Sequence, residues 1–339
     1  MLESCAGNVR SQGEHNGSRP IDTGAQGRNA MVSNAVVEAM PPELLVLGYE
    51  DRLLGDHQAL LDAAQHEGFR AELVDPSRLT IDVRADTAQV LVDGIPRTPA
   101  VALPRGVNRP WPFLRQVLEV WAGYGTRVLP SVEAADRCAD KLSTIRVLAA
   151  RGVPTLPTLG VLAGFGTILD DHSCTNEVLV TKPARASKGR GVRAATRSET
   201  LSELRSRLPL VDGMVDHQIV QPRADQWGID HRVVVADGEV VAMTRRHGAP
   251  GAITTNTRGS SVVDVDDPWS EAPEVASVAV EACAALGLEF GGIDVIGHEG
   301  RAVVLEANAW PGLAAHVRGP HIARALIQSA MRSGTPQRA

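Results

Sequence analysis

Short blocks of apolar and polar positions begin near residue 43 and set out the expected elements. Glu43-Leu-Leu-Val-Leu-Gly48 is an apolar run bounded by Pro42 and Gly48, the mark of a buried strand. A helix is expected from about Asp56, with Leu60, Leu61 and Ala64 inward and Gly68 at its end. Arg70 to Val74 reads as a strand, Gln89 to Val92 with Ile95 as a hairpin about Asp93-Gly94, and Val101 to Leu103 as another strand. Trp111 to Gly123 reads as a helix and Arg127 to Leu129 as a short strand. Strand and helix in alternation favour a small α/β domain with a largely parallel sheet.

The pattern then changes. Asp140 is placed to cap a helix whose inner face is Leu142, Ile145, Leu148 and Ala149; Gly152 closes it and Pro154 blocks its continuation. Val178 to Lys182 and Gln218 to Gln221 read as strands, with a helix from about Glu199 to Leu208 between them. The remainder is hairpin-rich: His231 to Val235, the Asp237-Gly238 turn, Glu239 to Arg245, then Gly292 to Ile296 and Ala302 to Asn308. A helix from about Glu274 to Gly287 lies among them. These blocks divide the chain into 43–132, 133–217 and 218–330, with an N-terminal segment 1–42 and a tail 331–339. The first forty residues are rich in Gly, Ser, Asn, Arg and Gln. They lack the apolar surface that offsets ordering entropy, and they lack the apolar core of a secretory signal. Met31 and Met40 both precede the first strand, so part of this segment is expected to reflect a misplaced start codon.

Composition narrows the function. The net charge of −6 argues against a dedicated nucleic-acid binder, which needs a basic footprint. No apolar run is long enough to span a bilayer. Cys5, Cys138, Cys174 and Cys283 stand far apart, without zinc-site spacing or a disulfide framework, which makes a reducing cytoplasm the expected location.

Two stretches carry chemistry. In the first, strands flank His298-Glu299-Gly300; a hairpin centred on Gly300 sets Asp294 opposite Glu306, with Asn308 on the same face as Glu306. Directly opposed side chains lie about 5 Å apart, and like charges there repel unless a cation sits between them. Two carboxylates and an amide oxygen are hard ligands suited to Mg²⁺ that also binds phosphate. In the second, Lys182 ends an apolar strand, and Ser187-Lys-Gly-Arg-Gly-Val192 follows; glycines there let backbone N–H groups approach phosphate oxygens. The spacing is neither a Walker loop nor a dinucleotide fingerprint. Lys141 follows the helix cap at Asp140, where first-turn N–H groups favour anions.

Taken together, the chain resembles the ATP-grasp superfamily, and within it the RimK-like glutamate-ligase branch. The residues that carry the resemblance are Leu103-Pro-Arg-Gly106, Asp140-Lys-Leu-Ser143, Gly152-Val-Pro-Thr-Leu-Pro-Thr158, Lys182-Pro183 and Ser187 to Val192. Asp230 to Val235, Asn256-Thr-Arg-Gly259, Gly292-Ile-Asp294 and Leu305 to Leu313 continue the series in the family's order. The resemblance implies an α/β chain, α+β in its C-terminal part, with an N-terminal parallel-sheet domain and two domains that clasp ATP. It implies that Lys141 and Lys182 hold phosphates beneath a loop containing Ser187, Lys188, Gly189 and Gly191. Backbone groups of Gln218, Ile219, Val220 and Gln221 would meet adenine. Asp294, Glu306 and Asn308 would bind two Mg²⁺, with Mn²⁺ able to replace them, and Arg232, Arg246 and Arg258 would stabilise the transferred phosphate. Arg105 and Asn256 are the substrate candidates, although Arg105 is almost equally suited to a structural salt bridge.

The implied reaction is ATP-dependent amide formation through an acyl phosphate, on an amino acid or peptide, in a chain that is a candidate homo-oligomer. A tailoring ligase of secondary metabolism, an intramolecular cyclo-ligase and a non-catalytic ATP-binding protein stay open as alternatives. The sequence departs from its relatives at Pro222, where they usually carry an acid, in a loop Pro222 to Ile229 shorter by one residue, and in a contracted stretch before Arg258. The first bears on how the nucleotide is held, the others on the substrate.

Overall fold

The computed structural model describes residues 40–51, 54–106, 111–162, 178–186, 189–206, 210–211, 214–215, 217–252, 254–255, 260–313 and 318–332. From Pro41 onward they form one compact unit built on three larger sheets. The first sheet is parallel, with β1 (Glu43–Leu47), β2 (Arg70–Val74), β3 (Val101–Pro104) and β4 (Arg127–Val128) in the order β2-β1-β3-β4. Helix α1 (Leu54–His66) joins β1 to β2, and α2 (Trp111–Gly123) joins β3 to β4. A small hairpin sheet, Leu79–Val83, Ala88–Val92 and Ile95–Pro96, intervenes; its first strand was not anticipated, although Leu79-Thr-Ile-Asp-Val83 alternates strictly between apolar and polar.

Two helices follow in succession. Helix α3 (Val132–Ala139) is capped by Ser131, and α4 (Lys141–Ala150) by Asp140, whose carboxylate accepts the Ser143 N–H at 3.0 Å. Gly152, with φ +74°, ends α4 as its sequence predicts. The second sheet is antiparallel: β5 (Leu159–Val161), β6 (Val178–Pro183), β7 (Arg193–Thr196) and β8 (Gln218–Pro222), in the order β7-β6-β8-β5. Helix α5 (Arg197–Ser206) follows β7.

The third sheet is antiparallel with the order β11-β10-β9-β12-β13, comprising β9 (Ile229–Ala236), β10 (Glu239–His247), β11 (Ser261–Asp264), β12 (Phe290–His298) and β13 (Arg301–Asn308). One face, carrying Val233, Val235, Ile293 and Val295, packs on α6 (Pro273–Leu286) together with α3 and α4. The other face is divided. Val234, Ala236, Ala242 and Phe290 share a core with β1, α1 and α7 (Gly319–Met331), so the third sheet rests against the first. Two residues earlier along β9, the same face carries Arg232 and Asp230, which puts charge beside a core rather than in open water. A parallel bridge from Thr155 to Val304, with Val304 N–H donating to Pro154 O at 2.9 Å, ties the chain entering the second sheet to β13. No helix among the described residues is long and apolar enough to cross a membrane.

Candidate active site

The β12–β13 hairpin pairs Asp294 with Glu306, but not by the route its sequence implies. The turn is centred between Glu299 and Gly300, both in the left-handed region at φ +49° and +74°. His298 therefore faces Arg301, and the register runs to Val295 opposite Val304. Leu305 is then an extra residue on β13, a bulge that advances the register by one and restores Asp294 opposite Glu306. Both Leu305 and Glu306 line the same cleft as a result. Without the bulge Asp294 would face Leu305.

Across the sheet, Thr244, Arg232, Asp294 and Glu306 stand in one row, and Arg246 pairs with Asp230 beside it. Arg232 grips Asp294 with two bonds of 2.8 Å, Nε to Oδ1 and Nη2 to Oδ2. Arg246 reaches the same carboxylate at 2.9 Å and holds Asp230 with bonds of 2.6 and 2.7 Å. Thr255 Oγ1 adds a hydrogen bond to Asp230 at 2.7 Å. Burial alone would raise the Asp294 carboxyl, yet Arg232 and Arg246 hold it down at about 2. Asp294 is 2% exposed, so it does not point to solvent from an open hairpin.

The opposite wall comes from the second sheet and α4. Lys182 donates to Gln221 Oε1 at 2.9 Å, and Gln221 in turn donates to Thr158 at 2.9 Å. Desolvation pulls the Lys182 ammonium down to about 8, opposed by nearby Glu306 and aided by Lys141. Lys141 donates to Ala186 O and lies 3.7 Å from Glu306. The space between the walls amounts to about 840 Å³ when the open solvent at its mouth is counted. Its polarity is graded. Asp294 and Glu306 mark the charged end, while Ile296 and Leu305 join Leu156 and Ala224 in an apolar cluster toward the turn.

The structure thus gathers Lys141, Lys182, Gly189, Gln221, Asp294 and Glu306 around one cleft. Gly191 takes φ +73°, and a Cβ there would lie 2.7 Å from Pro183, so the loop needs glycine. Gln218, Ile219 and Val220 do not line the cleft: they are paired with β6 on one side and β5 on the other. From Gln221 the chain leaves β5, and Pro222, Ala224, Trp227 and Gly228 line the cleft instead. Arg232, Arg246 and Asn308 stand behind or beside the lining. Arg105 does not reach it: Asp56, 49 positions earlier, takes its Nη2 at 2.6 Å, the structural salt bridge that was its alternative. Ser187, Lys188, Asn256 and Arg258 lie outside the described residues. Asp230 and Thr255 were not anticipated; Asp230 was legible, since it shares a strand face with Arg232 two positions on.

The donor set suits a hard divalent cation only with help. Among the described residues no three His, Cys, Asp or Glu groups converge on a metal position. Asp294 and Glu306 supply two carboxylates, and the buried Asn308 amide nitrogen has no hydrogen-bond partner. Lys141, Lys182, Arg232 and Arg246 outnumber Asp230, Asp294 and Glu306, so the cleft favours an anion that brings its own metal ligands.

The sequence model of the RimK-like ATP-grasp domain matches residues 138–329, more than half of the 339-residue chain. The chain belongs to the RimK-like ATP-grasp family. It is 28% identical over 292 residues to a probable alpha-L-glutamate ligase of Enterobacter sp. (strain 638), spanning 84% of this chain and 95% of that protein. A ribosomal protein bS6–L-glutamate ligase of Salmonella paratyphi B is 27% identical over 293 residues, spanning 85% and 95%. Both relatives are, by name, glutamate ligases. The ATP-grasp ligase PsnB, solved with minimal precursor, Mg and ADP, superposes with a TM-score of 0.63 at 19% identity, over 85% of this chain and 97% of that one. D-cycloserine synthetase DcsG gives 0.62 at 22%, over 85% and 99%. At these identities the likeness is one of fold.

The two carboxylates of this ATP-grasp site should differ sharply in stability. Asp294→Ala leaves the buried Arg246 and the partly buried Arg232 short of their anion and should cost about 3–5 kcal/mol. Glu306→Ala removes a carboxylate that is 32% exposed and 3.7 Å from Lys141, and should cost about 0–1 kcal/mol. Urea midpoints of both variants measure this; equal losses would contradict the described network.

Proposed function

We propose that the chain is an ATP- and Mg²⁺-dependent carboxylate–amine ligase acting on an amino acid or peptide. The observation that carries this reading is the pairing of Asp294 with Glu306 across one wall of a cleft whose other wall presents Lys182 and Lys141. Support for an amino-acid or peptide substrate comes from relatives named glutamate ligases and from PsnB, solved with its precursor. The N-terminal parallel sheet is read as the substrate-facing domain, and the second and third sheets as the two halves that close on nucleotide.

In this proposal Asp294, Glu306 and Asn308 hold Mg²⁺, which supplies charge neutralisation at the phosphates. Lys182 and Lys141 bind phosphate oxygens, and the loop at Gly189 and Gly191 brings backbone N–H groups to the same anion. The apolar end formed by Leu156, Ala224, Ile296 and Leu305 takes the base. A substrate carboxylate oxygen attacks the γ-phosphorus as ADP leaves, and the amine nitrogen then attacks the carbonyl carbon as phosphate leaves. Arg232 and Arg246 are already fixed by Asp294 and Asp230, so they offer preorganised positive charge without reorganising during the reaction. No side-chain nucleophile is required.

Lys182 gives the binding step a pH signature. Burial draws its ammonium down to about 8, and a bound polyphosphate stabilises the charged form. Nucleotide binding should therefore take up close to one proton at about pH 9 and almost none at about pH 6.5, with affinity falling as pH rises above 8. Calorimetry in buffers of different ionisation enthalpy measures the uptake, and Lys182→Met should abolish it. Pure pH independence would remove Lys182 from the phosphate site.

The reaction is tested by ADP and phosphate release across a panel of amino acids and short peptides, with product masses and an ¹⁸O-labelled acid. A single stimulating pair, a product lighter than their sum by one water, and ¹⁸O in the released phosphate are expected. A product lighter than one substrate by one water would mean ring closure. Release of AMP, or amide product formed without ¹⁸O in the released phosphate, would overturn the acyl-phosphate route.

A further inference from the structure

The two ends of the cleft differ in what they can offer a hydroxyl group. The carboxylates among its described lining residues, Asp230, Asp294 and Glu306, all stand at the charged end. Asp230 and Asp294 are held by Arg246 and Arg232, and Glu306 faces Lys141. Gln221 has both ends of its amide engaged, the oxygen by Lys182 and the nitrogen by Thr158. Thr255 donates to Asp230, and Thr254 stands against the glycine loop, where a Cβ on Gly189 would lie 3.2 Å from its Oγ1. Among the described residues, the stretch between the apolar end and the phosphate-binding groups therefore contains no carboxylate.

Trp227 stands in that stretch. The loop from β8 to β9 puts Ala224 in the apolar cluster and Asp230 in the charged network, with Trp227 midway, three residues from each. Arg223 sets its guanidinium 5.1 Å from the centre of the indole ring, a cation–π contact that covers one side of it. The loop is fastened to the third sheet at several points. Gln226 N–H donates to Gly297 O at 3.2 Å, Asp225 Oδ2 accepts the Glu299 N–H at 2.6 Å, and Gly248 N–H donates to Gly228 O at 2.8 Å. A Cβ on Gly297 would collide with the Gln226 amide, so the side chain of Gln226 lies directly on β12. An indole held in this way is a fixed apolar surface between the ends of the cleft.

We propose that Trp227 sets the nucleotide selectivity of this protein: its indole packs against the sugar, and the 2′-hydroxyl is not read. This selectivity rests on the ATP-dependent reading above and widens the co-substrate to 2′-deoxyadenosine triphosphate. Sites that read a ribose hydroxyl do so with an acceptor, often a carboxylate. A buried acceptor that loses its hydroxyl partner weakens binding about tenfold or more. The indole N–H is a donor only and cannot accept from the hydroxyl. Two carbonyls beside it are already in use, Gly228 O by Gly248 and Gln226 O by Ile229 at 3.1 Å. An aromatic face makes the same contact with the C–H side of ribose and of deoxyribose.

Calorimetry of the full chain with Mg·ADP, Mg·2′-deoxyADP and Mg·tripolyphosphate tests this. The two nucleotides should bind within about threefold of each other, a comparison that needs no variant. Trp227→Ala should weaken both by about tenfold and leave tripolyphosphate, which has no sugar, unchanged. A preference for ADP of more than about threefold would show that the hydroxyl is read and would overturn the proposal. Undiminished nucleotide affinity in Trp227→Ala, or a parallel loss of tripolyphosphate, would remove Trp227 from the sugar site. If ADP binds and only the selectivity fails, the ligase reading is untouched. If neither nucleotide binds, that reading falls and the selectivity falls with it.

Discussion

The carboxylate of Asp294, shared between Arg232 and Arg246, is the interaction around which the site is built. Three adjacent strands contribute one charged group each, and the pairing register brings them into contact. Burying such groups is costly unless every charge is paired, and the bidentate geometry meets that requirement. Because the charges already balance within the sheet, the cleft can remain folded without a ligand and still present cations to an incoming polyphosphate. Asp294 also stays ionised at any ordinary pH, which a metal ligand requires.

The same sheet face explains how the site is supported. Toward one end its residues are Val234, Ala236 and Phe290, packed on α7 and β1; toward the other they are Arg232, Asp230 and Asp294. Rigid apolar packing thus stands a few ångströms from the charged network. The loop beyond Asn308 is fastened twice to the N-terminal sheet, by Arg105 to Pro311 and by Leu313 to Asp56. Gly292, opposite Asn308, packs so closely that a Cβ would lie 2.7 Å from Pro311. The N-terminal sheet and the strand that bears Asn308 are therefore joined through one short segment.

Much of this was legible along the chain, because the elements that form the site have strong local signals. β1, β2 and α2 fall where apolar runs and periodicity put them, and Asp140 and Gly152 cap α4 as their types predict. The elements that escaped are short or weakly patterned: β5, β7 and β11 have three or four residues, and α3 adjoins α4 with only Asp140 between them. Asp294 opposite Glu306 was anticipated from a turn centre that is off by half a residue, and the bulge at Leu305 compensates. A bulge leaves no mark in the period-two pattern, so the pairing was foreseen and its cause was not. Long-range partners were equally hidden: nothing near Arg105 signals Asp56, and nothing near Lys182 signals Gln221.

The central claim is that the Asp294–Glu306 hairpin holds a divalent cation only together with nucleotide phosphates. Electron paramagnetic resonance of Mn²⁺, titrated with and without a non-hydrolysable ATP analogue, tests it most directly. Asp294 is engaged by two arginines in the free protein, so Mn²⁺ alone should remain in solution. With the analogue present it should bind at the protein, and Glu306→Ala should release it while the fold is retained. Tight Mn²⁺ binding without nucleotide, or binding with nucleotide that Glu306→Ala leaves intact, would contradict the account.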